Sequence, residues 1–149
     1  MDASAPQIHR LLYLYAERLD SGDLDGVAAL FRHGRIHGTE QPPPEAIFEG
    51  EAAVRQLYAA SIRIYEDGTP RTKHAITNVH VDIDEGAGTA ESRAYYAVTQ
   101  ATDELPLQTI ITGRYHDTFH RIAGTWWFDT RTMVVDQKGD LSHHLTFPL

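Results

Sequence analysis

His74 and Asp20 are the residues of this chain best suited to acid–base chemistry. A neutral imidazole takes up a proton near pH 6.5 in model peptides, so histidine can serve as a general base at neutral pH. A carboxylate bonded to the other ring nitrogen fixes the tautomer and stabilises the imidazolium that forms. The spacing alone leaves a second interpretation open, in which an exposed aspartate at a helix end and a strand histidine are unrelated.

The chain lacks the residue types that several other kinds of catalytic or metal site require. The chain has no cysteine, which excludes thiol nucleophiles, disulfides, thiolate zinc sites and cysteine-ligated iron–sulfur clusters. His116 and His120 share a strand face and His143 adjoins His144, so a histidine metal site has to be considered. Adjacent histidines on an extended segment point apart and no His-Glu-x-x-His pattern is present, so polar exposed strands are the simpler interpretation and no metal is expected.

Length, charge and hydropathy narrow the class of protein. With 149 residues, 42% of them hydrophobic and 23% charged, the chain is expected to fold as a single domain over residues 1–149. Its formal net charge of −8 repels nucleic acid and anionic membranes. The longest apolar run, Leu11 to Ala16, is too short to span a bilayer, and the acidic N-terminus is unlike a secretory signal. A cytoplasmic location is therefore expected.

Apolar residues at helical spacing predict three helices in the first half of the chain. The first has Ser4 available as its N-cap and ends at Asp20; the second follows the capping residue Asp23. The third begins at Gly50 and reaches the turn after Tyr65. Between them, residues 35–38 are expected to form a short strand and prolines 42–44 a loop.

From about Arg71 the period of the apolar residues changes to two, which indicates β-strands. Four long antiparallel strands are predicted, at about 71–84, 89–102, 107–122 and 125–135. Helices followed by strands indicate an α+β fold, a cone-shaped barrel in which three N-terminal helices pack on a strongly curved, mainly antiparallel sheet. Such a barrel would enclose an apolar pocket.

Short motifs in a fixed order run through nearly the whole chain. Together they resemble the SnoaL-like family of the nuclear transport factor 2-like superfamily, which also contains scytalone dehydratase, bile acid 7α-dehydratase and hexachlorocyclohexane dehydrochlorinase. The resemblance implies the cone-shaped barrel but leaves the reaction open, because this fold hosts dehydratases, isomerases, cyclases, hydrolases and plain binders. The motifs are Tyr15 to Phe31, Gly50 before a helix, Lys73-His74, Gly113 to Asp117, Gly124 to Trp127 and Gly139 to Leu145.

The resemblance also implies roles for four residues. In the dehydratase and dehydrochlorinase relatives a carboxylate at the end of the first helix meets a histidine on the first long strand, and these positions match Asp20 and His74. Tyr15 lies where the bile-acid branch has a catalytic tyrosine and would stabilise an oxyanion, although its position also suits core packing. Arg131 lies close to a pocket arginine of the relatives and would assist a leaving anion or bind a carboxylate, with a surface ion pair as the alternative.

Four further residues are expected to bind substrate. On the second long strand, scytalone dehydratase has a second histidine and the bile-acid branch an aspartate, whereas this chain offers Tyr95 and Tyr96; Tyr115 follows on the third. Strand alternation places Asn78 on the face of His74, with a hydrogen bond to a neighbouring strand as an equal alternative. In the last strand, alternation puts Asp129, Arg131 and Met133 on one face and Phe128, Thr130 and Thr132 on the other, without showing which face points inward.

These patterns favour a cofactor-independent acid–base enzyme that acts on a small hydrophobic molecule of polyketide, terpenoid or steroid type, first of all by eliminating water. An isomerase or cyclase with the same residues is the alternative within enzymes, and a noncatalytic small-molecule-binding or assembly domain is the alternative outside them. No nucleic-acid or membrane partner is expected. A homo-oligomer, dimer or trimer, is expected because the outer sheet face carries aromatic and β-branched side chains.

Overall fold

A computed structural model describes residues 3–149, in which three helices precede four long strands. The helices are α1 (Ser4–Asp20), α2 (Leu24–Ala29) and α3 (Gly50–Ser61), with one turn of 3₁₀-helix at Pro44–Ala46. The strands are β1 (Arg35–His37), β2 (Ile47–Glu49), β3 (Thr72–Asp84), β4 (Thr89–Gln100), β5 (Gln108–Ile122) and β6 (Thr125–Lys138).

The six strands form one sheet in the order β2-β1-β6-β5-β4-β3. Strand β1 pairs parallel to β6, and all other neighbours are antiparallel. Helix α1 contacts β3 and β6, so it lies across the concave face of the sheet. The predicted α+β fold, three helices packed on a curved and mainly antiparallel sheet, is confirmed.

Aromatic side chains form much of the core between α1 and the sheet. The rings of Tyr96 and Tyr115 stack with centroids 4.4 Å apart, and those of Phe31 and Phe128 stack at 4.8 Å. Tyr15 of α1 meets Phe31 and Tyr115 edge to face. Burying such large rings supplies most of the hydrophobic stabilisation of a domain of this size and holds α1 at a fixed height above the strands.

Several element boundaries differ from the sequence predictions. Ser4 is the first residue of α1 rather than its N-cap, which is Ala3 and makes no side-chain capping bond. Helix α3 ends at Ser61, because the chain turns extended at Ile62 to bridge Leu145. Strand β2, of three residues, was not predicted.

The pairing of the long strands slips in register at four places, and two of these β-bulges reverse the alternation beside the candidate site. In β3 the register with β4 slips between Thr77 and His80, where Asn78 takes a left-handed φ of 52°. In β6 the register with β5 slips beside Asp129, because Thr118 pairs with Thr130 while Phe119 pairs with Phe128. One extra residue in a strand moves every later side chain to the opposite face. Both slips change which residues face inward.

The outer face of the sheet is largely polar, with Tyr95 and Val135 among its exposed apolar side chains. Arg114 and Asp136 form a bidentate ion pair on this face. The homo-oligomer expected through this surface stays a prediction. Among residues 3–149, no helix has both the length and the apolarity needed to cross a bilayer.

Candidate active site

Asp20, the last residue of α1, points its carboxylate at the start of β3. The helix end is fixed there because Gly22 has a φ of 77° and packs against the turn at Gly68, where a Cβ on Gly22 would lie 1.9 Å from the Gly68 carbonyl oxygen. Only glycine tolerates both the backbone conformation and this close approach. The Oδ1 atom accepts a hydrogen bond from Thr72 Oγ1 at 2.8 Å, and Oδ2 accepts one from the His74 backbone N–H at 2.8 Å.

The His74 ring completes this arrangement. Its Nδ1 lies 2.6 Å from Asp20 Oδ1. Because an ionised carboxylate only accepts hydrogen bonds, Nδ1 carries the proton and the lone pair of the neutral ring lies on Nε2. Nε2 has no hydrogen-bond partner within residues 3–149. The predicted contact between Asp20 and His74 is therefore present, and it leaves the basic nitrogen of the ring unengaged.

The surroundings keep Asp20 ionised. Burial alone would raise the pKa of its carboxyl group, but hydrogen bonds from His74 and Thr72 and the charge of a protonated His74 outweigh burial and lower the pKa below its usual value. The carboxylate is therefore charged at neutral pH, ready to orient the ring and stabilise an imidazolium.

The pair is nearly enclosed. The side chain of His74 is 6% exposed and that of Asp20 is 11% exposed. Five surface depressions of the protein are lined by other residues. The Asp20–His74 pair is therefore largely shielded from bulk water.

A second buried ion pair lies deeper, between Arg131 of β6 and Asp117 of β5. The Nε and Nη2 atoms of Arg131 donate to the two oxygens of Asp117, both at 2.9 Å, and both side chains are 0% exposed. The guanidinium also lies 3.7 Å from the ring centroid of Tyr115 and 4.3 Å from that of Tyr15. Arg131 thus faces inward as part of a core ion pair, and the alternative of a surface ion pair is wrong.

The bulge at Asp129 is the reason for this inward position. Without it, Arg131 and Phe128 would lie on opposite faces, whereas in the structure the guanidinium lies 5.0 Å from the Phe128 ring centroid. Burial would lower the pKa of Arg131, but the Asp117 carboxylate outweighs burial and raises it above its usual value. The charge of Arg131 is therefore permanent. Only Nη1 of the guanidinium is left without a partner in the described residues.

The tyrosines surround Arg131 rather than His74. The hydroxyl of Tyr15 is hydrogen-bonded to that of Tyr58, and Tyr96 donates to the Val134 carbonyl at 3.2 Å. Burial raises the pKa of Tyr15, of Tyr58 and of Tyr115, and raises that of Tyr96 to about 12. All four phenols are protonated at neutral pH. No hydrogen bond joins Tyr15 to His74 in the part of the chain that the structure describes.

Two residues expected to bind substrate lie elsewhere. Asn78 is exposed at the bulge of β3, so the prediction that it shares the inner face with His74 is wrong; the extra residue turns its side chain outward and Val79 inward. Tyr95 is 52% exposed on the outer face, opposite to Tyr96. Of the residues predicted to bind substrate, Tyr96 and Tyr115 point into the core.

The burial of His144 in the C-terminal segment was not predicted from the sequence. His144 was expected in a polar exposed strand, yet it lies in a turn and is only 7% exposed. Burial, together with the charge on His74, lowers the pKa of His144 to about 4. The ring of His144 is therefore neutral at neutral pH. The doublet His143-His144 was the only sequence signal for it.

The remaining histidines do not form a metal-binding group. His116 is exposed, and Nδ1 of His120 lies 4.0 Å from Oδ1 of Asp129. Within residues 3–149 no three histidine, aspartate or glutamate side chains are grouped as metal ligands.

Comparison with solved structures relates the chain to a known fold. A protein of unknown function from Mycobacterium tuberculosis is 21% identical with a TM-score of 0.70, over 89% of this chain and 72% of the other. A protein provisionally named a scytalone dehydratase, from Novosphingobium aromaticivorans, is 22% identical with a TM-score of 0.70, over 91% and 86% of the two chains. The beta subunit of a protein provisionally named an aromatic-ring-hydroxylating dioxygenase, also from Novosphingobium aromaticivorans, is 19% identical with a TM-score of 0.69, over 90% of each chain.

No curated protein sequence matches the chain. The profile of the SnoaL-like domain matches residues 3–132, which include Asp20, His74, Tyr15 and Arg131. The match covers most of the chain and agrees with the fold and with the resemblance of its motifs. The chain belongs to the SnoaL-like domain family.

Proposed function

We propose that this protein is a cofactor-independent acid–base enzyme that eliminates water from a small hydrophobic hydroxy compound. The observation that carries the proposal is the hydrogen bond between Asp20 and His74 Nδ1, which leaves the lone pair on Nε2. This is the arrangement that a histidine general base requires, with the ring oriented and its second nitrogen unengaged.

The reaction would proceed in the following way. His74 Nε2 removes a proton from the carbon next to a carbonyl group, and the imidazolium that forms is stabilised by Asp20. The electron pair of the broken C–H bond forms a C=C bond, and the hydroxyl group on the adjacent carbon leaves. The departing oxygen takes the proton back from His74, so the products are an unsaturated carbonyl compound, water and the unchanged enzyme.

Arg131 takes no part in this chemistry. Two of its nitrogens are bonded to Asp117, and the third, Nη1, belongs to a side chain that is fully buried among aromatic rings, so we assign Arg131 to the core rather than to the leaving group. The structural neighbour provisionally named a scytalone dehydratase supports an elimination, since its name describes removal of water.

Two probe reactions test the proposal. Nitrobenzisoxazole reports proton abstraction alone, because loss of its ring C–H proton breaks the N–O bond and gives a coloured cyanophenolate. The aldol of benzaldehyde and acetone reports dehydration, because it loses water to give benzylideneacetone, which absorbs in the ultraviolet. We expect wild-type protein to accelerate both reactions and the rates to rise with pH through one ionisation.

His74→Ala should lower turnover of both probes by roughly 10²-fold to 10⁴-fold, the usual contribution of a positioned base, and should abolish the pH dependence. His80→Ala is the matched control, because His80 is an exposed histidine on the same strand. A His74→Ala protein as active as wild type would refute the proposed base. Binding of both probes with no turnover by wild type would favour the noncatalytic alternative.

A further inference from the structure

The turn after β6 packs against the same end of the sheet that carries Asp20 and His74. The Gln100 side chain, at the end of β4, donates from Nε2 to the carbonyls of Pro70 and His143, both at 3.0 Å. Gln100 also pairs with Thr72, whose hydroxyl donates to Asp20. A continuous set of contacts therefore joins the C-terminal turn to the carboxylate of the catalytic pair.

Residues that follow α3 also form hydrogen bonds to this turn. The Arg63 backbone N–H donates to the His144 carbonyl at 2.8 Å, and the Tyr65 hydroxyl donates to the carbonyl of His143. The His144 N–H in turn donates to the carbonyl of Leu141 at 3.1 Å. These bonds fix the backbone of His144 against the segment that follows α3.

The buried polar atoms without a partner in the described residues include Nδ1 of His144 and Oε1 of Gln100. The Gln100 side chain is bonded to the carbonyl of His143, the neighbour of His144. His144 is 7% exposed and Gln100 is 1% exposed. Buried polar atoms in native proteins are nearly always hydrogen-bonded, so each exception calls for an explanation such as a bound ligand. The amide oxygen is an acceptor, and the neutral imidazole can donate from Nδ1.

We propose that Gln100 and His144 form a subsite for a hydroxyl group, which we assign to the leaving hydroxyl of the substrate. A hydroxyl both donates and accepts, so it can donate to Gln100 Oε1 and accept from His144 Nδ1. The assignment rests on the proposed function, and it names the substrate class more closely as a hydroxy compound whose hydroxyl lies near His74.

The state of His144 suits this role. Its pKa of about 4, lowered by burial and by the charge of His74, keeps the ring neutral when His74 takes up a proton. A neutral imidazole can stabilise an oxygen that gains negative charge without adding a second positive charge beside His74. The turn lies beyond residue 132, the last residue matched by the family profile, so the family match itself says nothing of this subsite.

The test is a binding experiment that needs no turnover. Wild-type protein is titrated with a hydroxy ketone that cannot lose water, the aldol of benzaldehyde and methyl isopropyl ketone joined at the isopropyl carbon, which has no proton between its carbonyl and hydroxyl carbons. The same ketone without the hydroxyl is titrated in parallel, and the ring signals of labelled histidines are followed by NMR. Wild type should bind the hydroxy ketone about tenfold more tightly, the size of one net hydrogen bond. His144→Leu, which leaves only the Gln100 oxygen, should lose most of the preference, and His144→Asn, which keeps a donor near Nδ1, should restore part of it.

His143→Leu is the matched control, since it changes the neighbouring side chain and keeps the backbone carbonyl that Gln100 and Tyr65 bind. Equal binding of the two ketones by wild type, failure of either to bind, or an undiminished preference in His144→Leu would overturn the subsite. So would a crystal structure of the complex in which an ordered water, not the ligand, joins Gln100 and His144. The proposed base is judged separately, by turnover of nitrobenzisoxazole, which has no hydroxyl.

Discussion

Two carboxylates in the described residues are paired with a basic side chain in the interior. The pairs differ above all in whether the basic partner can lose its positive charge. Asp117 and Arg131 are fully buried, joined by two hydrogen bonds and enclosed by the rings of Tyr15 and Tyr115. Asp20 and His74 are slightly exposed and joined through one ring nitrogen. An arginine stays charged throughout the accessible pH range, whereas a histidine gains and loses a proton near neutrality.

This difference indicates which pair supports the fold and which can do chemistry. A permanent ion pair sealed among aromatic rings cannot exchange protons, and its bidentate geometry locks β5 to β6 below α1. The histidine pair sits at the end of α1, where the carboxylate is held by Thr72 and the backbone of His74 while Nε2 stays unengaged. The sequence suggested a catalytic role for both, because residue type alone does not show how many hydrogen bonds a side chain already makes.

The largest effect on the free energy of unfolding is expected when one partner of the buried Arg131–Asp117 pair is removed. Arg131→Met leaves the Asp117 carboxylate buried without its partner and should lower the free energy of unfolding by about 3–5 kcal/mol. The measurement is urea unfolding followed by circular dichroism. The double variant Arg131→Met, Asp117→Leu removes both charges and should recover most of the loss, because apolar replacements of a buried pair are often close to neutral.

Activity of the double variant sharpens the comparison. If Arg131 is structural, the folded double variant should still convert nitrobenzisoxazole. A folded but inactive double variant would instead assign Arg131 to the chemistry and remove the contrast between the two pairs. An Arg131→Met protein as stable as wild type would show that the ion pair is not needed for the fold.

The order of elements was predictable because periodicity reports it directly. Apolar residues at helical spacing in Ser4–Asp20 and alternation after Arg71 gave the helices and the long strands. The inner face of each strand was not predictable beyond the bulges at Asn78 and Asp129, since a single extra residue reverses the alternation. Asparagine adopts a left-handed backbone conformation more often than most residues, so Asn78 is a partial sequence signal for the first bulge. Asp129 does not have a positive φ, and nothing in its residue type indicates the second bulge.

The residues of the candidate site were likewise predictable only in part. Asp20 and His74 were predictable through the resemblance of their motifs, and their contact is present in the structure. His144 was not, because it enters the site from a turn whose position depends on long-range bonds from Gln100 and Arg63. Hydrogen bonds between residues so distant in sequence leave no local pattern.

A second prediction concerns His144 and the pH dependence of stability. The unfolded chain takes up a proton on this ring near pH 6.5, whereas the folded protein does so only at about pH 4, because burial and His74 lower the pKa. The unfolded state therefore binds more protons in this range, and stability falls as the pH falls from 6.5 towards 4. This group should contribute about 2 kcal/mol of loss between pH 7 and pH 5.

His144→Asn should remove that contribution, so its unfolding free energy should fall less than that of wild type over the same pH range. His143→Leu, which also removes one histidine from the turn, should keep the wild-type slope. Parallel slopes for His144→Asn and wild type would show that the buried ring of His144 does take up a proton in the folded state, and the neutral ring would have to be abandoned.

The last prediction concerns Asp20→Asn, which tests whether the titratable pair acts as one unit. An amide has one acceptor oxygen in place of two, so it loses either the backbone N–H of His74 or the Nδ1–H that fixes the tautomer. Turnover of nitrobenzisoxazole should fall by about 10-fold to 100-fold, part of the factor lost in His74→Ala. Because the carboxylate works only through the ring, the double variant Asp20→Asn, His74→Ala should be scarcely slower than His74→Ala alone. Kinetic losses that add in the double variant would mean that Asp20 acts on the substrate directly, and the carboxylate would then be a second base rather than the partner of the first.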